Sequence, residues 1–368
     1  MERIKKNFGF GCMRPPMKGE EVDTEQFCRM VDAFLAAGFN YFDTARPYVN
    51  GKSENVLREC LTSRHPRESY VLTDKLSGSL FRQEADIRPL FDSQLAACGV
   101  DYFDFYLMHA QNRENFERYK SCRAYETALA LKKEGRVRHV GLSFHDTADV
   151  LERILTEYPQ VEVVQLQLNY LDWDDPSVQA EQCWQVCRKH GKPVIVMEPV
   201  KGGKLAVLPE KAQAVLDALG GGSPASLAIR YAAGLEGVGM VLSGMSSMAQ
   251  MEDNLSCMKD FKPLDENELE GVKKVRALLR AQDQISCTAC RYCVDGCPMK
   301  IAIPDLFGCF NDKKGGRSSN ARAGYENACA VGHGRASQCV KCGKCEEICP
   351  QRLPIRELLA RVAKEFEG

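Results

Sequence analysis

Two stretches of the chain, 52 residues apart, carry one spacing, C-x2-C-x2-C-x3-C-P. The first is Cys287, Cys290, Cys293, Cys297 and Pro298; the second is Cys339, Cys342, Cys345, Cys349 and Pro350. Three thiolates at that interval wrap three iron corners of a cubane, and the fourth, before the proline, turns away to the neighbouring cluster. The spacing therefore assigns one [4Fe–4S] cluster to Cys287, Cys290, Cys293 and Cys349. It assigns a second to Cys339, Cys342, Cys345 and Cys297. The alternatives are zinc, which usually takes two separated C-x2-C pairs, and disulfides, which suit short exported scaffolds. The runs hold eight of the 18 cysteines; the other ten, Cys309 and Cys329 among them, read as packing or surface thiols.

The rest of the composition narrows the class. Of 368 residues, 44% are hydrophobic and 27% charged, which excludes disorder as the main state. Against 50 Asp and Glu stand 49 Lys and Arg, so no basic footprint for nucleic acid exists. No apolar run approaches the roughly 18 residues of a membrane span. The opening MERIKKNFGFG lacks the apolar segment of a signal peptide. The expectation is a cytoplasmic protein.

Between residue 8 and about 260, short apolar runs alternate with amphipathic ones. Strands are expected at 9–13, 40–43, 70–73, 103–108, 139–143, 163–166, 193–197 and 238–242. The stretch 25–35 is apolar at helical spacing and stops at Gly38. Alternation of this kind requires parallel strands with helical crossovers, and eight units in about 250 residues is the size of a (β/α)8 barrel. A doubly wound sheet is the alternative, but no G-x-G-x-x-G follows the first strand; Gly9 and Gly11 alone are a weak signal. The domains read as a TIM barrel over 1–260, a linker helix over 261–285 and a ferredoxin-like α+β domain over 286–368. The linker helix carries Leu269, Val272, Val275 and Leu279 on one face. Residues 311–324, rich in Gly, Ser and basic side chains, read as an inserted loop. The Gly220–Pro224 segment reads as a helix start capped by Ser223.

In such a barrel the chemistry sits where strands end, on the C-terminal face. The polar residues at those ends are Asp43, Lys75, His109, Ser143 and Gln165, and the first four are 32, 34 and 34 residues apart, one β/α unit each. Tyr48 follows Asp43 on the same loop. Singly, each has a structural alternative: an ion pair, a core histidine, a lid aromatic. Together, in register, they point to proton-transfer chemistry.

These residues also carry a resemblance. FDTARPYVNGKSE (42–54) is similar to the D-T-A-x-x-Y-G-x-S-E segment of the aldo/keto reductases. VLTDKL (71–76) looks like their Thr-Lys strand end, DFYLMH (104–109) like their D-x-x-x-x-H strand, and VVQLQLNY (163–170) like the strand bearing their nicotinamide-binding glutamine. The whole chain resembles the bacterial members in which such a barrel is fused to a two-cluster ferredoxin domain. The tail itself is similar to bacterial-type ferredoxins, with a longer loop between its repeats.

The resemblance implies reduction of a small carbonyl-type substrate. Tyr48 would be the general acid, with Lys75 lowering its pKa, Asp43 holding Lys75, and His109 orienting the carbonyl oxygen. Ser143 and Gln165 would hold a nicotinamide carboxamide. Gly244, Ser246, Asp253 and Asn254, at the helix start after the eighth strand, would serve the nucleotide phosphates; the alternative is an ordinary helix capped by Ser246. Arg46, Trp173, His145 and Glu198 are expected to line the substrate pocket. Several positions depart from the family. The row GMSSMAQ (244–250) has no Lys or Arg for a 2′-phosphate, so NAD is implied no less than NADP. Met197 stands where an aromatic stacks on nicotinamide, Val49-Asn50-Gly51 where one Gly is usual, and Phe144-His145 where Asn commonly follows the Ser.

Nicotinamide moves two electrons as hydride, whereas each cluster moves one, so their coupling calls for a flavin or a radical-tolerant substrate. No flavin motif is visible, though barrels bind flavin phosphates through the same strand-eight region. Two further functions therefore stay open. One is cluster-driven reductive chemistry with Tyr48 as proton source and no hydride. The other is an electron-transfer subunit docking a redox partner protein through the loop at 311–335.

Overall fold

In the computed structural model the described residues are 3–220, 222–315, 320–330 and 332–368. The chain divides into two compact units: 1–199 with Ala225–Asp265, and Val200–Pro224 with Glu266–Gly368.

The first unit is a closed parallel barrel. Its strands are β1 (Phe8–Gly11), β2 (Tyr41–Asp43), β3 (Val71–Leu76), β4 (Phe103–Gln111), β5 (Val137–Phe144), β6 (Val163–Gln167), β7 (Val194–Met197) and β8 (Val238–Ser243). Each pairs with its neighbours in sequence, and β1 closes on β8. All eight expected strands form, with ends shifted by up to three residues. Period-two alternation sorts their side chains. Tyr41, Val71, Phe105, Leu107, Val163, Ile195, Met240 and Leu242 fill the interior. Gly141 completes the layer, because a Cβ there would stand 2.5 Å from the Val163 Cγ2 and 2.7 Å from the Leu107 Cδ2. One or two steps further along the same faces come Asp43, Lys75, His109, Ser143 and Gln165. The strands thus end in polar residues that share the barrel's inward direction.

The crossover helices follow from apolar spacing. In α1 (Thr24–Ala36), Phe27, Met30, Val31 and Phe34 are buried and the Asp23 side chain accepts from the Gln26 N–H at 3.1 Å. Next come α2 (Ser53–Leu57), whose C-terminal end widens into a π-helical turn at Arg58–Thr62, and α3 (Glu84–Cys98). A disulfide joins Cys28 on α1 to Cys60 in that π turn, correcting the expectation that all ten scattered cysteines are free. Helices α4 (Arg113–Ser121), α5 (Ala124–Lys133), α6 (Ala148–Glu157) and α7 (Ala180–Lys189) continue the layer.

In the second unit, α8 (Glu210–Asp217) packs against α11 (Glu266–Arg280), while α9 (Pro224–Ala233) and α10 (Met248–Lys259) return to the barrel. The stretch 200–224, read as barrel sequence, thus clusters with the cysteine-rich tail. Helix α9 starts at Pro224, directly after Ser223; Gly221 lies outside the described residues. In α11, Val272, Val275 and Leu279 are buried but Leu269 is exposed, because it lies off their stripe.

The tail contains α12 (Tyr292–Asp295), α13 (Ile303–Lys314), α14 (Ala321–Ala328), α15 (Lys344–Glu347) and α16 (Ile355–Phe366). Where an α+β arrangement is expected, no strand ladder forms among its described residues. The expected loop at 311–324 is largely helical: α13 runs through Lys314 and α14 begins at Ala321, with 316–319 outside the described residues. Phe307 and Phe310 on α13 and Tyr325 on α14 enter the same core as Leu359, Val362 and Phe366 of α16. That burial is why polar, Gly-flanked sequence becomes helix there.

Candidate functional site

Lys75 organises the barrel site. Its side chain is fully buried, its ammonium donating to Asp43 Oδ1 at 2.5 Å and to the Thr44 carbonyl at 2.8 Å. The Asp43 carboxylate takes a second contact, from Gln165 Nε2 to Oδ2 at 3.0 Å. The Lys75 Nζ also lies 4.9 Å from the centre of the Tyr48 ring, and that ring meets the His109 ring edge-on at 5.9 Å. Asp43, Tyr48, Lys75 and His109 therefore converge, as the register predicts.

Electrostatics sets the resting protonation. Burial, reinforced by the Lys75 ammonium and then His145, holds the His109 imidazole well below the usual histidine range. His109 is thus neutral, and its Nδ1 pairs with the Ser77 hydroxyl at 2.7 Å. For Tyr48, burial and then the Asp43 carboxylate push the phenol well above its ordinary value. This reverses the expected depression by Lys75, whose ammonium spends its hydrogen bonds on Asp43 and Thr44 instead. The Tyr48 loop is strained: Val49 and Asn50 adopt φ of 52° and 53°, which a β-branched residue rarely does.

The proposed nicotinamide residues retain suitable groups. The Ser143 Oγ accepts from the Ala110 N–H at 2.8 Å, leaving its own O–H to donate. Gln165 uses its Nε2 on Asp43, leaving Oε1 as an acceptor. A carboxamide needs one of each. At the end of β8, the cap of α10 is Ser247, not Ser246: the Ser247 Oγ accepts from the Gln250 N–H at 3.3 Å, and the Gln250 Oε1 accepts from the Ser246 N–H at 2.7 Å. The Ser246 hydroxyl donates to the Arg14 carbonyl at 2.9 Å, and Asn254 Nδ2 donates to the Ser243 Oγ at 2.8 Å. Gly244 leads into this turn, and Asp253 is half-buried on α10.

Two expected pocket residues are engaged elsewhere. Arg46 turns to Glu54, at 2.9 Å, and to Ser93 on α3. Trp173 packs against Trp184 of α7 and Tyr231 of α9. His145 lies near enough to His109 to act on its charge, and the Glu198 carboxylate is 3.9 Å from the Arg14 guanidinium.

Sequence reasoning misses Ser77, Glu54, Asp74 and Gln94. Asp74 Oδ1 accepts the Lys75 backbone N–H at 2.7 Å, and Gln94 Nε2 donates to the Lys75 carbonyl at 3.0 Å. The only available signal was the S-E pair at the end of the 42–54 segment.

In the cysteine-rich unit the eight thiols line two hollows. Cys287, Cys290, Cys293 and Cys349 line one; Cys297, Cys339, Cys342 and Cys345 line the other. None of the eight forms a disulfide. Among the described residues, no group of three or more His, Cys, Asp or Glu is arranged to hold a metal ion. Zinc requires four ligands drawn to about 2.3 Å of one point, whereas a cubane spreads its four thiolates around a larger body. Backbone N–H groups of Ala289 and Ile301 each point to a cysteine sulfur, Cys287 and Cys297, at 3.4 Å. The donor set fits [4Fe–4S] clusters. Gly202, at φ of 62°, backs onto the first hollow's Thr288, where a Cβ would stand 2.6 Å from the Thr288 carbonyl oxygen.

A barrel with this rim, followed by paired cysteine runs, defines an oxidoreductase of known type. The chain belongs to the aldo/keto reductase family, whose profile matches residues 7–277, and it carries a 4Fe-4S dicluster domain over 286–353. It is 28% identical over 200 residues to the NADH-specific methylglyoxal reductase of Escherichia coli, a match covering 49% of this chain and 58% of that protein. It is 34% identical over 135 residues to an aldo-keto reductase of Mycolicibacterium smegmatis, over 37% of this chain and 44% of that one. The chain thus spans about half the length of these curated relatives. Among solved structures, aldo-keto reductase AKR11C1 of Bacillus halodurans in its holo form superposes with a TM-score of 0.59 at 25% identity, over 73% of this chain and 91% of that one. A Klebsiella pneumoniae aldo-keto reductase in complex with NADPH shares the fold at TM-score 0.59 and 20% identity, over 73% and 90%. Among the described residues, no helix is long and apolar enough to cross a membrane.

Proposed function

We propose that the chain reduces a small carbonyl compound, with Tyr48 as proton donor and two [4Fe–4S] clusters as an electron relay. The convergence of Tyr48, His109 and the Asp43-bound Lys75 carries this reading. A bound nicotinamide would supply hydride. The chain's own residues supply the rest. The neutral His109 imidazole donates to the carbonyl oxygen and orients it. Tyr48 holds its proton until negative charge develops on that oxygen, and the nearby ammonium then favours its transfer. Ser143 and Gln165 hold the carboxamide, one as donor and one as acceptor. The lack of any Lys or Arg in 244–254 favours NAD over NADP. Cys287, Cys290, Cys293 and Cys349 hold one cluster and Cys297, Cys339, Cys342 and Cys345 the other, each run lending one ligand across.

The test is turnover of methylglyoxal with NADH or NADPH on anaerobically reconstituted protein. Tyr48→Phe should lower kcat by about 10²–10⁴-fold and leave the cluster absorbance intact. Full activity in that variant overturns the reading. The paired hollows favour one alternative: if neither nicotinamide binds but the clusters exchange electrons with a redox partner protein or flavin, the barrel performs one-electron reduction.

A further inference from the structure

We infer that Glu54, Asp74 and Gln94 form a buried positioning unit for Lys75, in which the two carboxyl groups share one proton. This rests on the reading of Lys75 and Tyr48 as catalytic.

Strand β2 ends at Asp43, paired with Thr73, two residues short of Lys75. On that side the Lys75 backbone has outrun its strand partner. Asp74 Oδ1 accepts its N–H at 2.7 Å, and Gln94 Nε2 donates to its carbonyl at 3.0 Å. Gln94 is itself held at both ends, its Nε2 also 3.3 Å from Glu54 Oε1 and its Oε1 accepting from the Tyr106 hydroxyl at 2.7 Å. Glu54, Asp74, Lys75, Gln94 and Tyr106 are all fully buried.

The same unit grips the Tyr48 loop. Glu54 stands at the start of α2 and pairs with Arg46, two residues before Tyr48. Ser53 donates to the Cys12 carbonyl at 2.9 Å, so at 2.8 Å from Thr44 its oxygen receives the Thr44 hydroxyl. The Thr44 carbonyl in turn receives the Lys75 ammonium. Both ends of the 44–54 loop are therefore tied to Lys75, one to its side chain and one to its backbone.

Glu54 and Asp74 are both fully buried, Glu54 against Gln94 and Asp74 against the Lys75 N–H, and the charge of Glu54 raises the Asp74 carboxyl. The groups facing the pair agree. Arg46 neutralises one negative charge. The Cys98 thiol, 3.9 Å from Asp74 Oδ2, and the Tyr106 phenol, reached through Gln94, are held neutral by burial. The Lys75 ammonium is already committed to Asp43. A second buried negative charge would have no partner. Burial, the leading cause for both groups, raises each carboxyl.

Infrared difference spectra of the intact protein test the shared proton directly. At neutral pH the wild type should show the C=O stretch of a protonated carboxyl, and Asp74→Asn should lack it. Asp74→Asn reproduces the protonated member of the pair, so its kcat should stay within about 3-fold of wild type, and its alkaline limb should move to higher pH. Asp74→Leu and Gln94→Leu, which release the Lys75 backbone, should lower kcat about 10–100-fold at unchanged KM. Absence of the band in the wild type overturns the shared proton. Retention of kcat in Gln94→Leu overturns the positioning role, and a poorly folded Asp74→Leu leaves both decisions to the other variants. If Tyr48→Phe were fully active, the catalytic reading would fail while the infrared band still decided the proton.

Discussion

Replacing Lys75 by Met should be among the most damaging single changes in the barrel. The side chain is fully buried, and its loss leaves the Asp43 carboxylate, itself only 4% exposed, with Gln165 Nε2 as its remaining side-chain donor. Stranding one member of a buried pair typically costs about 3–5 kcal/mol. With a denaturant slope of about 2–3 kcal/mol per M of urea, the barrel's midpoint should fall by roughly 1–2 M. The pair lies beyond the reach of bulk screening, so the loss should be similar at low and high salt. Adding Asp43→Leu removes the orphaned charge, and the double variant should recover at least about 2 kcal/mol. Urea titrations followed by barrel tyrosine and tryptophan signals, on wild type, single and double variants, measure all three. A Lys75→Met midpoint within about 0.3 M of wild type, or a double variant less stable than either single, would refute the account of the pair as a desolvated, mutually dependent unit.

Other outcomes follow from the same structure. Cys297→Ala lies in the first cysteine run but lines the second hollow, so metal analysis and electron paramagnetic resonance should show loss at the cluster of Cys339, Cys342 and Cys345 while the other persists. Because His109 is held neutral, with a folded pKa below the unfolded value of about 6.5, its contribution is complete above that pH and is lost as pH falls toward the folded value; thermal melts of His109→Gln should lose stability less steeply than wild type below about pH 6.5. Val49→Gly relieves a left-handed β-branched residue worth about 1–2 kcal/mol but adds about 0.5–1 kcal/mol of chain entropy, so it should stabilise the protein by up to about 1.5 kcal/mol in urea titrations.

What was legible in the sequence, and what was not, divides by the range of the interaction. The strand expected at 103–108 announces itself because a buried parallel strand is mostly apolar. The proposed catalytic set is legible because one β/α unit has nearly constant length, so Asp43, Lys75 and His109 repeat at matching intervals. The cysteine runs are legible because their ligand geometry is local. Gln94 is not: a glutamine in mid-helix looks solvated until α3 is laid against β3. Cys28 and Cys60 meet only through the packing of α1 on the π turn. Trp173 looked available for substrate because nothing local reveals Trp184 and Tyr231 around it. The Tyr48 phenol was expected to be acidified by Lys75, but the direction depends on burial and on Asp43, neither of which spacing reports.

Each cysteine run divides three to one between the two hollows. Neither half of the tail can therefore mature as a self-sufficient module. A chain cut between the repeats would leave each surviving hollow one sulfur short, and during synthesis the first run must wait for the second, about fifty residues later, before either inorganic core can be sealed. Iron loading of either core should accordingly require that both runs be present in one chain.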